Sequence, residues 1–130
     1  MGVQERRQRE REARRASVLD ATRALVLERG YTGTTTKQIA ARCELSEATL
    51  FFYFQNKAES FLSLLFEGLE YTARFLDDLV AAELDPRRKL ERLWQFYSDI
   101  NDDHPEYVHL FNYLARPQAT AQVADEMRDE

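Results

Sequence analysis

Between Thr35 and Lys57 the chain sets out polar side chains in an order suited to a polyanion. Hydroxyls at Thr35 and Tyr53 and ammonium groups at Lys37 and Lys57 can donate to phosphate oxygens, contacts that fix position without reading sequence. Ser46 stands just ahead of Glu47, Ala48 and Thr49, a trio that could meet base edges. A carboxylate at Glu47 accepts from a cytosine amino group, and Ala48 or Thr49 can touch a thymine methyl. On this reading a Thr49 substitution changes sequence preference, whereas loss of Lys57 weakens binding to every sequence. Catalytic chemistry finds no such arrangement. There is no glycine-rich phosphate loop, no serine or cysteine with a plausible base partner, and no metal-ligand cluster, so neither enzymatic activity nor a cofactor is expected. His104 and His109 are five apart with Pro105 between them, which does not place both on one helical face.

The elements that would present these groups are written in the apolar spacing. With Thr36 opening a helix, Ile39, Ala40, Cys43, Leu45, Leu50 and Tyr53 form the inward set of two short helices crossing at a tight turn. Ala40 is small enough for a close crossing, Leu45 plugs the turn and Leu50 anchors the second helix. Thr35 with Gln38 makes a capping box, Ser46 can cap the second helix, and Asn56 with Glu59 opens a third. The segment Glu47 to Tyr53 is too short to persist alone and depends on the helix before it, as a helix presented to a major groove does.

Gly30-Tyr31-x-x-Thr34-Thr35-x-x-x-Ile39-Ala40 followed by Leu45-Ser46-x-Ala48-Thr49-Leu50-Phe51-x-Tyr53-Phe54-x-x-Lys57 resembles the DNA-binding domain of the tetracycline repressor (TetR-like) family, with about fourteen matching positions. The resemblance implies an all-α protein: a three-helix helix-turn-helix domain, then a helical ligand-binding and dimerisation domain. It also implies a homodimer that represses transcription on a double-stranded DNA operator and leaves it when a small-molecule effector binds. Two positions depart from the family pattern. Cys43-Glu44 replaces the usual Ala-Gly turn, so Glu44 is expected in a left-handed conformation costing about 1 kcal/mol. Phe51 stands where the family has a phosphate-bonding tyrosine. Those departures and the acids Glu44 and Glu47 leave room for a second class, a helical interaction protein of this fold that has lost specific operator binding.

The chain of 130 residues, 44% apolar with four glycines and three prolines, suits one modest core or one small domain and part of another. No stretch reaches the length of a membrane span, and the single cysteine offers no disulfide, which together suggest the cytoplasm and no membrane partner. Cys43 sits at an inward position and is expected to pack. The net charge of −5 divides unevenly: residues 1–60 carry +3 (11 Lys and Arg against 8 Asp and Glu) and residues 61–130 carry −8 (7 against 15). A basic half bearing a helix-turn-helix is the footprint of a DNA binder. Gln4 to Arg15 holds six arginines without an apolar face and reads either as a solvated helical extension or as an arm on the nucleic acid.

The spacing divides the chain into an arm and helix-turn-helix domain, 1–56, and a helical regulatory domain, 57–130. Val18, Ala21, Thr22, Leu25 and Val26 define the first packed helix, with Gly30 as a left-handed cap and Tyr31 tucked behind. A long helix from Asn56 to about Leu84 is expected to bury Phe61, Leu65, Leu69, Ala73, Leu76 and Val80, widened by Leu62, Phe66 and Leu79, with Glu67, Glu70, Arg74, Asp77 and Asp78 solvated opposite and Glu70 paired to Arg74. Asp85-Pro86 opens a helix burying Leu90, Leu93, Trp94, Tyr97 and Ile100, and Pro105 another carrying Tyr107, Val108, Phe111 and Leu114. Most of the aromatic side chains from Phe66 to Tyr113 are expected in the core, with Phe66, Phe75, Trp94, Tyr97 and Phe111 as candidates to line an effector pocket. An effector near Phe66, Phe75 and Trp94 would tilt the long helix and move Lys57. Gln118 to Glu130 has little to bury. The two long dimerisation helices that the resemblance implies are not recognisable, so this chain by itself is expected to bind an operator weakly.

Overall fold

The computed structural model describes residues 2–129. These form seven α-helices: α1 Val3–Arg29, α2 Thr36–Arg42, α3 Glu47–Tyr53, α4 Lys57–Ala81, α5 Pro86–Asp103, α6 Pro105–Leu114 and α7 Pro117–Arg128. The expected caps are present. Thr35 and Gln38 exchange side-chain and backbone bonds at 3.2 and 3.0 Å, Asn56 accepts from the Glu59 amide at 2.8 Å, and Asp85 accepts from the Arg88 amide at 3.0 Å. Each satisfies donors that a helix start leaves orphaned. Glu59 differs in one detail: its carboxylate accepts from the Gln55 amide at 2.7 Å.

The arginine-rich arm is not a separate element. It is the outer half of a single 27-residue helix whose buried side chains begin at Val18. Gly30 ends that helix with φ 69° and ψ −179°. The positive φ demands glycine, but the ψ is extended, so the chain leaves α1 straight toward Tyr31 where a left-handed helical cap was expected.

One apolar core runs from α1 through α4 and takes in Leu110 of α6 and Val123 of α7. The first turns of α4, with Ala58, Phe61 and Leu64, belong to the same core as the helix-turn-helix, so packing is continuous across the 56/57 boundary. The buried face of α4 follows the expected stripe only in part. Phe61, Leu64, Gly68 and Leu79 point inward, while Leu69, Ala73, Leu76 and Val80 are exposed and Leu65 is half-buried. Helix α4 is apolar on two sides, and Gly68 decides between them: a Cβ there would lie 2.8 Å from Cγ of Tyr107, so only a bare backbone lets α6 approach this closely.

Two further expectations are corrected. Of the residues assigned to the inner face of α5, only Ile100 is buried; Leu90, Leu93, Trp94 and Tyr97 lie on the outside, and Phe96 turns inward to stack on Phe75 at 3.9 Å. A short 18-residue amphipath touching α4 and α6 can bury one narrow strip, and the strip chosen contains the Phe96–Ile100 pair. For the same reason the aromatic series is mostly not core: Tyr107 is buried, Phe66, Trp94 and Tyr97 are exposed, and the rest are half-buried. The second correction concerns residues 118–130, which were expected to bury little. Within α7, Ala119 and Val123 are buried and Met127 packs on the core, because the helix folds back against α4 and α6.

Glu67 also leaves the solvated face assigned to it. Arg23 of α1 donates to Glu67 at 2.9 Å and to Glu106 of α6 at 2.7 Å, while Tyr107 approaches Glu67 at 3.4 Å and His104 approaches Glu106 at 3.4 Å. Glu106 is buried, so this fork is the ionic joint between α1, α4 and α6. Burial would push the Arg23 guanidinium down, but the bonds to Glu106, Tyr107 and Glu67 outweigh it and hold the charge firmly. Glu70 and Arg74, by contrast, form no ion pair among the described residues.

Candidate nucleic-acid interface

Helices α2 and α3 meet through the expected side chains. Ile39, Ala40 and Leu50 are buried, with Cys43, Leu45 and Tyr53 packed at the edge. The turn between them ends α2 in a doubly bonded stop: the Leu45 amide donates to the Ala40 carbonyl at 2.9 Å and the Glu44 amide to that of Ala41 at 3.1 Å. This pattern requires a left-handed residue between them, and Glu44 supplies it at φ 57°. Replacing Glu44 by glycine is expected to raise stability by about 0.5–1 kcal/mol, read as a higher urea midpoint at unchanged slope. Cys43 is half-buried with Sγ 3.7 Å from the Ser17 carbonyl, and burial together with Asp20 raises its thiol, which disfavours a reactive thiolate and fits packing. Outside the core, Arg42 grips Glu28 with two bonds of 2.8 Å and ties α2 to α1.

The surface left by this arrangement gathers most of the expected DNA-facing residues. Thr35, Lys37, Ser46, Ala48 and Phe51 are exposed, and Glu47, Thr49 and Tyr53 are half-buried. Thr35 Oγ1 accepts the Gln38 amide, which leaves its hydroxyl hydrogen for an outside acceptor. Ser46 accepts from the Thr49 amide at 3.1 Å and its Oγ lies 2.9 Å from Thr49 Oγ1, so one of the two hydroxyls donates to the other and the acceptor of the pair keeps its own O–H.

Lys57 is placed differently. Its ammonium donates to the Tyr31 carbonyl at 2.9 Å and sits 4.1 Å from the centre of the Tyr31 ring, and burial lowers its pKa despite Glu126 nearby. Tyr31 itself is wedged between Phe61 and Tyr113, and its hydroxyl donates to the Glu126 carboxylate of α7; burial first, then that carboxylate, pushes its pKa up. The lysine is thus turned into the back of the helix-turn-helix unit.

Phe52 is a residue the sequence reading passed over. It is 69% exposed on α3, and the guanidinium of Arg11 lies 5.2 Å from its ring centre. An unexplained aromatic inside the motif, next to Phe51 and Tyr53, was the available signal. Of the residues named for an effector pocket, Phe66, Trp94 and Tyr97 lie on the outer surface, Phe75 is stacked on Phe96, and Phe111 is half-buried on α6. Trp94 and Tyr97 line an open apolar depression on α5 with Leu90 and Leu93. No helix among the described residues is long and apolar enough to cross a membrane.

Residues 18–64 match the family model described as bacterial regulatory proteins, tetR family. The chain is 28% identical over 116 residues to the HTH-type transcriptional activator FasR of Mycolicibacterium smegmatis, covering 87% of this chain and 53% of that protein. It is 25% identical over 99 residues to the biofilm operon icaADBC HTH-type negative transcriptional regulator IcaR of Staphylococcus epidermidis, covering 75% and 51%. A solved TetR family transcription regulator from Marinobacter aquaeolei superposes with a TM-score of 0.69 at 25% identity, over 95% of this chain and 66% of that one. The chain therefore spans about half the length of these two curated relatives.

Proposed function

We propose that this chain, whose residues 18–64 carry the helix-turn-helix domain of the tetR family of bacterial regulatory proteins, is the DNA-binding part of a transcriptional regulator that acts as a homodimer on a two-half-site operator. The observation that carries the reading is the capped α2–α3 pair, which holds Thr35, Lys37, Ser46, Ala48 and the Thr49 methyl around one short helix. Phosphate contacts fall to Thr35, Lys37 and Tyr53, and base contacts to Glu47, Ala48 and Thr49. Lys57 acts from behind as a positioning residue, fixing Tyr31 and the start of α4. Repression needs nothing beyond occupancy of the operator, whereas activation needs a further surface for polymerase, so repression is the simpler outcome. An effector would act on the helical half and be felt at the interface through α4, with Phe75 and Phe111 half-buried and Trp94 and Tyr97 of α5 outside.

Selection of duplexes from a random-sequence library, followed by binding titrations over a salt series, tests the reading. Lys37→Ala should weaken every selected duplex alike and reduce the log–log salt slope by about 1. Thr49→Ser keeps the hydroxyl bonded to Ser46 and removes the methyl, and should change rank order among duplexes instead. Failure to enrich any duplex would favour a helical interaction protein, the reading that the acids Glu44 and Glu47 motivate.

A further inference from the structure

We propose that the outer half of α1, residues 3–15, is a second DNA-contacting surface: an arginine-faced helical arm that lies along the phosphate backbone beside the site of α3. This rests on the DNA-binding reading above and extends it to residues outside the 18–64 match.

Helix α1 buries nothing before Val18, so its first 13 residues, about 20 Å of helix, have no role in the core. Their charges are nonetheless sorted. At 100° per residue Arg7, Arg11 and Arg14 fall within about 40° of Val18, Glu10 lies about 80° away, and Glu5 and Glu12 about 120° or more. Arg6 pairs with Glu10 at 3.8 Å and Gln8 donates to Glu12 at 2.9 Å, which engages the two nearer acids along the helix itself.

The arginine face is aimed by contacts with the helix-turn-helix. Arg11 stacks on Phe52 at 5.2 Å and Arg15 on Phe54 at 4.9 Å, and Arg15 also donates to Ser63 at 3.4 Å. A guanidinium over an aromatic face keeps its in-plane N–H donors free for phosphate. The arm thus meets the C-terminal end of α3, where Phe51 lacks a hydroxyl, and supplies cations there. Arg7 and Arg14 have neither hydrogen bond nor ion pair among the described residues. Their position on the same stripe makes a phosphate backbone the complementary partner.

The test compares two double variants of the whole chain on a mixed-sequence 40-base-pair duplex, with association measured across a salt series. Arg7→Gln with Arg14→Gln removes two charges from the stripe; Arg6→Gln with Arg9→Gln removes two from elsewhere on the same helix. Glutamine preserves helix propensity, and far-ultraviolet circular dichroism checks it. The stripe pair should lower the salt slope by about 1.8 and weaken binding about 30-fold at 0.15 M salt, while the other pair leaves the slope unchanged. Equal losses in both pairs, or no loss in the stripe pair, would overturn the arm while leaving duplex binding by α2 and α3 intact. A parent chain without salt-dependent duplex binding would overturn both.

Discussion

Arg23→Ala is expected to destabilise the protein by about 3 kcal/mol, the lower end of what breaking a buried ion pair costs, because the arginine side chain retains 28% exposure. The loss comes from Glu106, whose carboxylate stays buried beside His104 with its 2.7 Å partner gone. Urea unfolding reads the effect as a midpoint lowered by about 1–3 M. A double-mutant cycle identifies the cause: Arg23→Ala with Glu106→Gln should be less destabilised than the two single changes added together, since a neutral amide at Glu106 no longer needs a cation. Additive losses would mean that Arg23 contributes through packing on Tyr107 and not through the fork.

Leu50→Ala should be costly twice. Leu50 is the one buried residue of the seven-residue α3, at 2% exposure, and truncating it should cost about 2–5 kcal/mol. A helix this short does not hold without its anchor, so duplex affinity should fall along with stability. Lys37→Ala provides the contrast, losing affinity at unchanged unfolding midpoint. Wild-type duplex affinity in a Leu50→Ala chain that is demonstrably destabilised would separate α3 from the interface.

The parts legible in the sequence were those that local chemistry determines. Caps at Thr35, Ser46, Asn56 and Asp85, the Ala40–Leu50 crossing and the left-handed Glu44 each follow from a few neighbouring residues. Helix faces chosen by distant partners were not legible. The face of α4 depends on Tyr107 meeting Gly68, and a glycine in an apolar helix gives no periodic signal. Helix α5 carries more apolar side chains than its neighbours can cover, so spacing could not tell Phe96 from Trp94. Charge pairing across α1, α4 and α6 was hidden because Glu67 falls among acids on a helix surface and Arg23 lies 83 residues from Glu106. At the candidate site Thr35, Lys37, Ser46, Ala48 and Phe51 reach the surface as their local spacing suggests, whereas Lys57, chemically suited to a phosphate, finds a nearer acceptor in the Tyr31 carbonyl.

Tyr31 has a consequence for how the protein is made. Its hydroxyl partner, Glu126, lies 95 residues downstream, and its ring is sandwiched against Tyr113. During synthesis the helix-turn-helix residues emerge before α6 and α7, with Tyr31 lacking the cover that Tyr113 and Glu126 provide. At ribosomal speeds of about 5–20 residues per second, the stretch from Leu64 to Glu126 takes about 3–12 s to appear. For that interval the nascent chain displays an uncovered aromatic face at Tyr31, on the back of its helix-turn-helix. Helices α2 and α3, set by local caps, can form early; the far side closes last, when the carboxylate of α7 arrives.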